Sequence, residues 1–139
     1  MSVWTKITGS FYIYECKDDT YKRLQSFIKE NKHLLPTEEE GVFDFDIKEA
    51  SFRTGIRYDS NRNRIEVKGA AQLHIFGDLR DMTTELAVKR IIPFVKVLRE
   101  AFDVRIGQVF LDDGCGCPCS IQIKQYDEEI KTNVYKKEK

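Results

Sequence analysis

The chain opens on a strict alternation. Over residues 3–14, Val3, Ile7, Phe11 and Ile13 fall on one side of an extended strand, and Trp4, Lys6, Thr8, Ser10, Tyr12 and Tyr14 on the other. The first set is a core face. The second carries three large aromatics where a solvated sheet would show charges and small polar groups, which predicts a surface covered by a partner or a ligand. Asp18 and Asp19 then offer N-caps for a helix with Tyr21, Leu24, Phe27, Ile28 and Leu34 at helical spacing, ending before Pro36.

A second strand follows, in which Phe43, Phe45 and Ile47 alternate with Asp44, Asp46 and Lys48, giving it a clean polar outer face. Residues 53–64 hold Gly55, Asp59, Ser60, Asn61 and Asn63, the composition of an exposed connection. Beyond it, Ile65, Val67, Ala71, Leu73 and Ile75 inward and Glu66, Lys68, Gln72, His74 and Phe76 outward predict one long third strand. Gly69 within it marks a bulge or a close backbone approach. A second helix over 84–102 carries Val88, Ile91, Ile92, Val95, Leu98 and Phe102 on one face, with Asp81, Thr83 or Thr84 as its cap. Pro93 inside it predicts a kink. Segments 104–111 and 119–126 read as a hairpin around Asp113-Gly114, and the charged tail from Asp127 as frayed or a short helix.

The order strand, helix, strand, strand, helix, strand, strand is that of an α+β, ferredoxin-like βαββαβ sandwich with an extra C-terminal strand. Two helices cover one face of an antiparallel sheet. Residues 1–126 are expected to form a single domain and 127–139 a charged tail. The open face is expected to display Trp4, Lys6, Tyr12, Tyr14, Asp44, Asp46, Lys68, Gln72, His74, Phe76, Gln122, Lys124 and Tyr126.

Charge changes the choice of partner. Lys plus Arg and Asp plus Glu both total 23 in 139 residues, so the average field is near zero and gives little support for nonspecific nucleic-acid binding or an anionic membrane surface. With no signal-like start and no membrane-spanning run, the expected location is cytoplasmic. The four cysteines then read as thiols or metal ligands rather than a disulfide framework.

Within Cys115-Gly116-Cys117-Pro118-Cys119, three thiols could meet a soft metal with Cys16, His33 or His74, but no second ligand pair has the usual spacing. The favoured reading puts Cys119 in the core and Cys115 and Cys117 in a hairpin turn, with no metal and no cofactor. Arg53, Arg57, Arg62 and Arg64 could form a phosphate clamp, or simply pair with the acidic run 38–40. Beside an aromatic face, arginines make a nucleotide-shaped combination. The glycine-aromatic signature of RNA-recognition strands is missing from Val67-Lys68-Gly69-Ala70-Ala71, so nucleic acid is not an expected partner. His74 with Asp44 or Asp46 is an alternative acid/base pair for a small nucleotide hydrolase. The aromatic face could equally be buried in a homodimer or dock another protein.

Trp4-Thr5-Lys6-Ile7-Thr8-Gly9-Ser10-Phe11, together with Ile75-Phe76-Gly77-Asp78-Leu79-Arg80-Asp81, resembles small α/β proteins of large tailed bacteriophages. Some small phage proteins of this size are sponges that sequester nucleotide-derived immune signals. The resemblance implies a non-enzymatic binding protein in the host cytoplasm, countering host defence. The resulting expectation is a homo-oligomer that binds a small nucleotide-like ligand through Trp4, Tyr12, Tyr14, Arg53, Arg57, Arg62, Arg64 and His74. The alternatives are a protein-interaction module that inhibits a host protein through the aromatic face, and the hydrolase.

Overall fold

The computed structural model describes residues 3–14, 19–49, 55–58, 60–67, 70–124 and 129–135. Strand β1 (Trp4–Tyr14) leads into helix α1 (Thr20–Glu30), a 3-10 turn (Lys32–Leu34) and strand β2 (Gly41–Glu49). Then come β3 (Gly55–Tyr58), β4 (Arg64–Val67), β5 (Ala70–Arg80), α2 (Thr84–Ala101), β6 (Val104–Asp112), β7 (Cys119–Lys124) and β8 (Lys131–Val134). The main sheet is antiparallel in the order β2-β5-β1-β6-β7-β8. Its first four strands reproduce the expected ferredoxin-like arrangement, with β1 at the centre.

Burial follows the alternation. Phe11, Ile13, Leu73, Ile75, Leu111, Ile121 and Ile123 point from the sheet into a core completed by Leu24 and Ile28 of α1 and Ile91, Phe94 and Leu98 of α2. Thr5 is fully buried among them, and its hydroxyl donates to the Met82 carbonyl at 2.6 Å, which removes the penalty of hiding a polar group. Phe45 on β2 stays 37% exposed, so the inner face of this edge strand is only partly covered.

Four expectations need correction. The stretch 53–64 is not simply a connection, because β3 and β4 pair as a separate two-stranded sheet. The long third strand is divided, with Ile65 and Val67 on β4 and the segment from Ala71 onward on β5. Part of the tail is neither frayed nor helical: β8 pairs with β7 from Cys119↔Val134 to Gln122↔Lys131. Asp19 does stand at the N-cap of α1, but with φ 63° and no side-chain cap bond. At α2, Thr83 is the cap, accepting from the Leu86 N–H, and the helix runs on through Pro93.

The β6–β7 loop is locked to α2 by one carboxylate. Asp113 Oδ1 accepts from the N–H groups of Cys115 (2.9 Å) and Gly116 (2.7 Å), and Oδ2 from the N–H of Thr84 (3.1 Å). The Thr84 hydroxyl accepts in return from the Asp113 N–H. These bonds to the charged form hold the Asp113 carboxyl at about 2. A depressed carboxylate stabilises the fold fully above its ordinary value of 3.8 and loses that contribution as pH falls through about 2. Asp113→Ala is therefore expected to cost about 1–2 kcal/mol at neutral pH. In urea unfolding the deficit should narrow on acidification. A deficit that stays constant would show that the charge is not what holds the loop.

Candidate functional site

The sheet face opposite the helices is open, and the strand register lays it out in rows. Across the middle run Asp44, Phe76, Thr8, Phe110 and Ser120, each beside the next on a neighbouring strand. One row along stand Val42, Asp78, Lys6 and Asp112. On the other side stand Asp46, His74, Ser10, Gln108 and Gln122. A fourth row holds Lys48, Gln72, Tyr12, Ile106 and Lys124.

Phe76 and Phe110 are each 45% exposed, two strands apart, with only Thr8 between them. Strand spacing sets their Cβ atoms roughly 9–10 Å apart. A planar ring in van der Waals contact with both walls needs roughly 7–8 Å. The space over Thr8 between the two side chains is thus a candidate slot for one planar ring. It belongs to a shallow depression of about 620 Å³ that also includes Lys6, Asp78 and Asp112, with Val42 on its β2 side. That volume lies within the range of small-molecule sites. Asp78 Oδ1 is buried there and has no hydrogen-bond partner among the described residues. Tyr135, just past β8, extends the aromatic surface by stacking on Phe110 at 6.4 Å and sharing a 2.9 Å hydrogen bond with Ser120 Oγ.

Of the residues singled out from the sequence, the aromatics and His74 are scattered over this face, and the arginines that can be placed lie in the separate β3–β4 hairpin. Trp4, 41% exposed, pairs with Arg80 at one end of β1, whereas Tyr12 and Tyr14 are half-buried at the other. Eight residues of strand separate Trp4 from Tyr12 by roughly 26 Å, too far to grip one small ring together. Tyr14 carries the Arg105 guanidinium 5.0 Å over its ring. His74 lies next to Asp46 in the register, but its Nε2 is 3.3 Å from Gln72 Oε1, and no ion pair to Asp44 or Asp46 forms among the described residues. Arg57 is on β3, Arg62 follows the β3–β4 turn at φ 62°, and Arg64 starts β4. Arg53 lies outside the described residues, as do Cys16, Lys68 and Tyr126.

Phe110 was not among the residues expected on the open face. The register shift between Tyr12 and Ile13 explains why: Ile106 faces Tyr12 and Val104 faces Ile13, so two residues of equal parity point to opposite sides. Val104 is buried and Ile106 is 65% exposed. Without the bulge, the run Val109-Phe110-Leu111 gives no cue to which side chain points out.

Cys115 and Cys117 are exposed in the β6–β7 loop and Cys119 is buried, where desolvation raises its thiol pKa. Among the described residues, no three His, Cys, Asp or Glu side chains are grouped so as to hold a metal. No helix among them is long and apolar enough to cross a membrane.

No protein-family model and no curated protein matches the chain. Among solved structures it is similar to a phage SAM lyase in complex with S-methyl-5′-thioadenosine, at 12% identity and a TM-score of 0.39, over 93% of this chain and 89% of that one. So distant a likeness carries no argument about ligand or mechanism. That neighbour is an enzyme, which stands against the expectation of a non-enzymatic protein, and that expectation is withdrawn. An aromatic face lacking a familiar catalytic motif is no evidence against turnover.

Proposed function

We propose that the chain binds a small, planar, nucleoside-like ligand on the open sheet face, with its ring between Phe76 and Phe110. The observation that carries this reading is the pair of exposed phenylalanines flanking Thr8 in one row, at a separation that admits a single ring. A solvated sheet has no need of two such rings over a small floor, and leaving them in water forgoes their burial. Polar groups at both ends of the slot, Lys6 and Asp78 on one side and Ser10, His74 and Gln108 on the other, can read the substituents of the ring. The biological setting proposed with it narrows the one the sequence resemblance implies, to a phage protein that removes a small nucleoside-like molecule.

Calorimetric titration with a panel of nucleosides and nucleotides tests the site. Phe76→Ala and Phe110→Ala are each expected to weaken binding about tenfold or more, the scale of one base–aromatic stack. Both positions are already half in water, so the variants should unfold close to the wild type. Mass spectrometry of the ligand after incubation then separates retention from chemical conversion. A wild-type chain that binds nothing in the panel, or variants that bind as tightly as wild type, would overturn this placement.

A further inference from the structure

Resting on that reading, we infer that the slot selects a ligand that is cationic or rich in hydrogen-bond donors, and discriminates against phosphate. The charges around the ring position decide this. Asp44 shares the row of Phe76, Asp78 and Asp112 stand in the row on one side, and Asp46 stands in the row on the other. Within these three rows, the cation near the slot is Lys6, set between Asp78 and Asp112. Lys131 pairs with Gln122, three strands from Ser10, and Arg80 lies beyond Asp78 with its Nη2 donating to the Glu39 carbonyl at 3.3 Å.

The near field is therefore negative, and it acts over less than a Debye length, where salt screens it incompletely. Asp78 adds direction. It lines the depression beside Lys6, so its charge stands close to whatever substituent the ring carries on that side. An ammonium or an amino group there meets a charge of favourable sign. A phosphate would place like charges beside Asp78 and Asp112.

Three probes that share one ring separate these cases: adenosine, adenosine 5′-monophosphate and 5′-amino-5′-deoxyadenosine, titrated into the intact chain at low and moderate salt. The amine is expected to bind at least tenfold more tightly than the monophosphate, with adenosine between them and the ratio shrinking as salt rises. Asp78→Asn and Asp112→Asn should each reduce the ratio several-fold, and Lys6→Met should raise it. Because the Lys6 and Asp variants move the ratio in opposite directions, a general loss of structure cannot mimic the result. Binding of the monophosphate as tight as that of the amine would overturn this inference while leaving the ring site standing. No binding of any probe would remove the ring site and this inference with it.

Discussion

Gly107→Val is expected to destabilise the fold by about 3 kcal/mol, because the core has no room for a side chain at that point of β6. A Cβ placed there would lie 2.6 Å from Cδ1 and 3.1 Å from Cε1 of Phe11, and 3.5 Å from Cβ of Ile123. Phe11 has no exposure and pairs directly with Gly107, so its ring lies over the glycine and cannot swing away into solvent. The same geometry predicts non-additivity. Phe11→Leu and Gly107→Ala should each be costly alone, whereas the double variant should cost at least about 1 kcal/mol less than their sum, since the smaller side chain vacates the space the new methyl needs. Equilibrium urea unfolding of the four proteins measures this. Strictly additive costs would show that the ring is not what excludes the methyl.

The second large effect is expected at Arg90, which joins α2 to the turn before β2. Its Nε and Nη2 donate to Glu40 Oε2 and Oε1 at 2.7 and 3.0 Å, a bidentate pair. Nη1 and Nη2 also donate to the carbonyls of Leu34 (2.9 Å) and Leu35 (2.8 Å). Arg90→Met would leave a half-buried carboxylate and two carbonyls without these donors, at a cost of about 3 kcal/mol. Arg90→Lys should recover only part of it, because an ammonium cannot reproduce the planar fork.

The hydrogen bonds from Arg90 hold the Glu40 carboxyl at about 2, below its ordinary 4.5, while Glu40 raises the pKa of Arg90. The Glu40 contribution is thus complete above 4.5 and disappears as pH falls through about 2. The deficit of Arg90→Met against wild type should narrow over that interval in thermal melts. A deficit that widens on acidification would contradict the pairing.

Much of the architecture was legible because β1, β5 and both helices have one wet and one dry face, and a two-residue or 3.6-residue period can be read directly from such elements. What escaped did so for local reasons. The pairing of β3 with β4 is hidden in a composition rich in Gly, Asn and Asp, which reads as a turn whether or not short strands flank it. β8 lacks a hydrophobic alternation, since Lys131, Thr132, Asn133 and Val134 join an edge through backbone bonds to β7 rather than through a buried face. The slot was half visible: Phe76 follows from the parity of β5, whereas Phe110 depends on the β1–β6 bulge, a long-range property. Trp4 and Tyr12 share a face by parity, but only the register reveals that the slot lies between them, over Thr8.

The central position of β1 also fixes the order of events while the chain is being made. Its first in-sheet partner spans Ala70–Arg80 and its second extends to Asp112, so β1 waits longer than β5 or β6 for neighbours on both sides. At ribosomal rates of about 5–20 residues per second, roughly 3–15 s pass before β5 has been added to a chain that already contains β1. Once clear of the ribosome, and until β5 follows, β1 offers both hydrogen-bonding edges and a stripe of apolar side chains to anything nearby. The nascent protein is then most in need of a chaperone, and a delay in translation between β1 and β5 should appear as aggregation rather than as a less stable product.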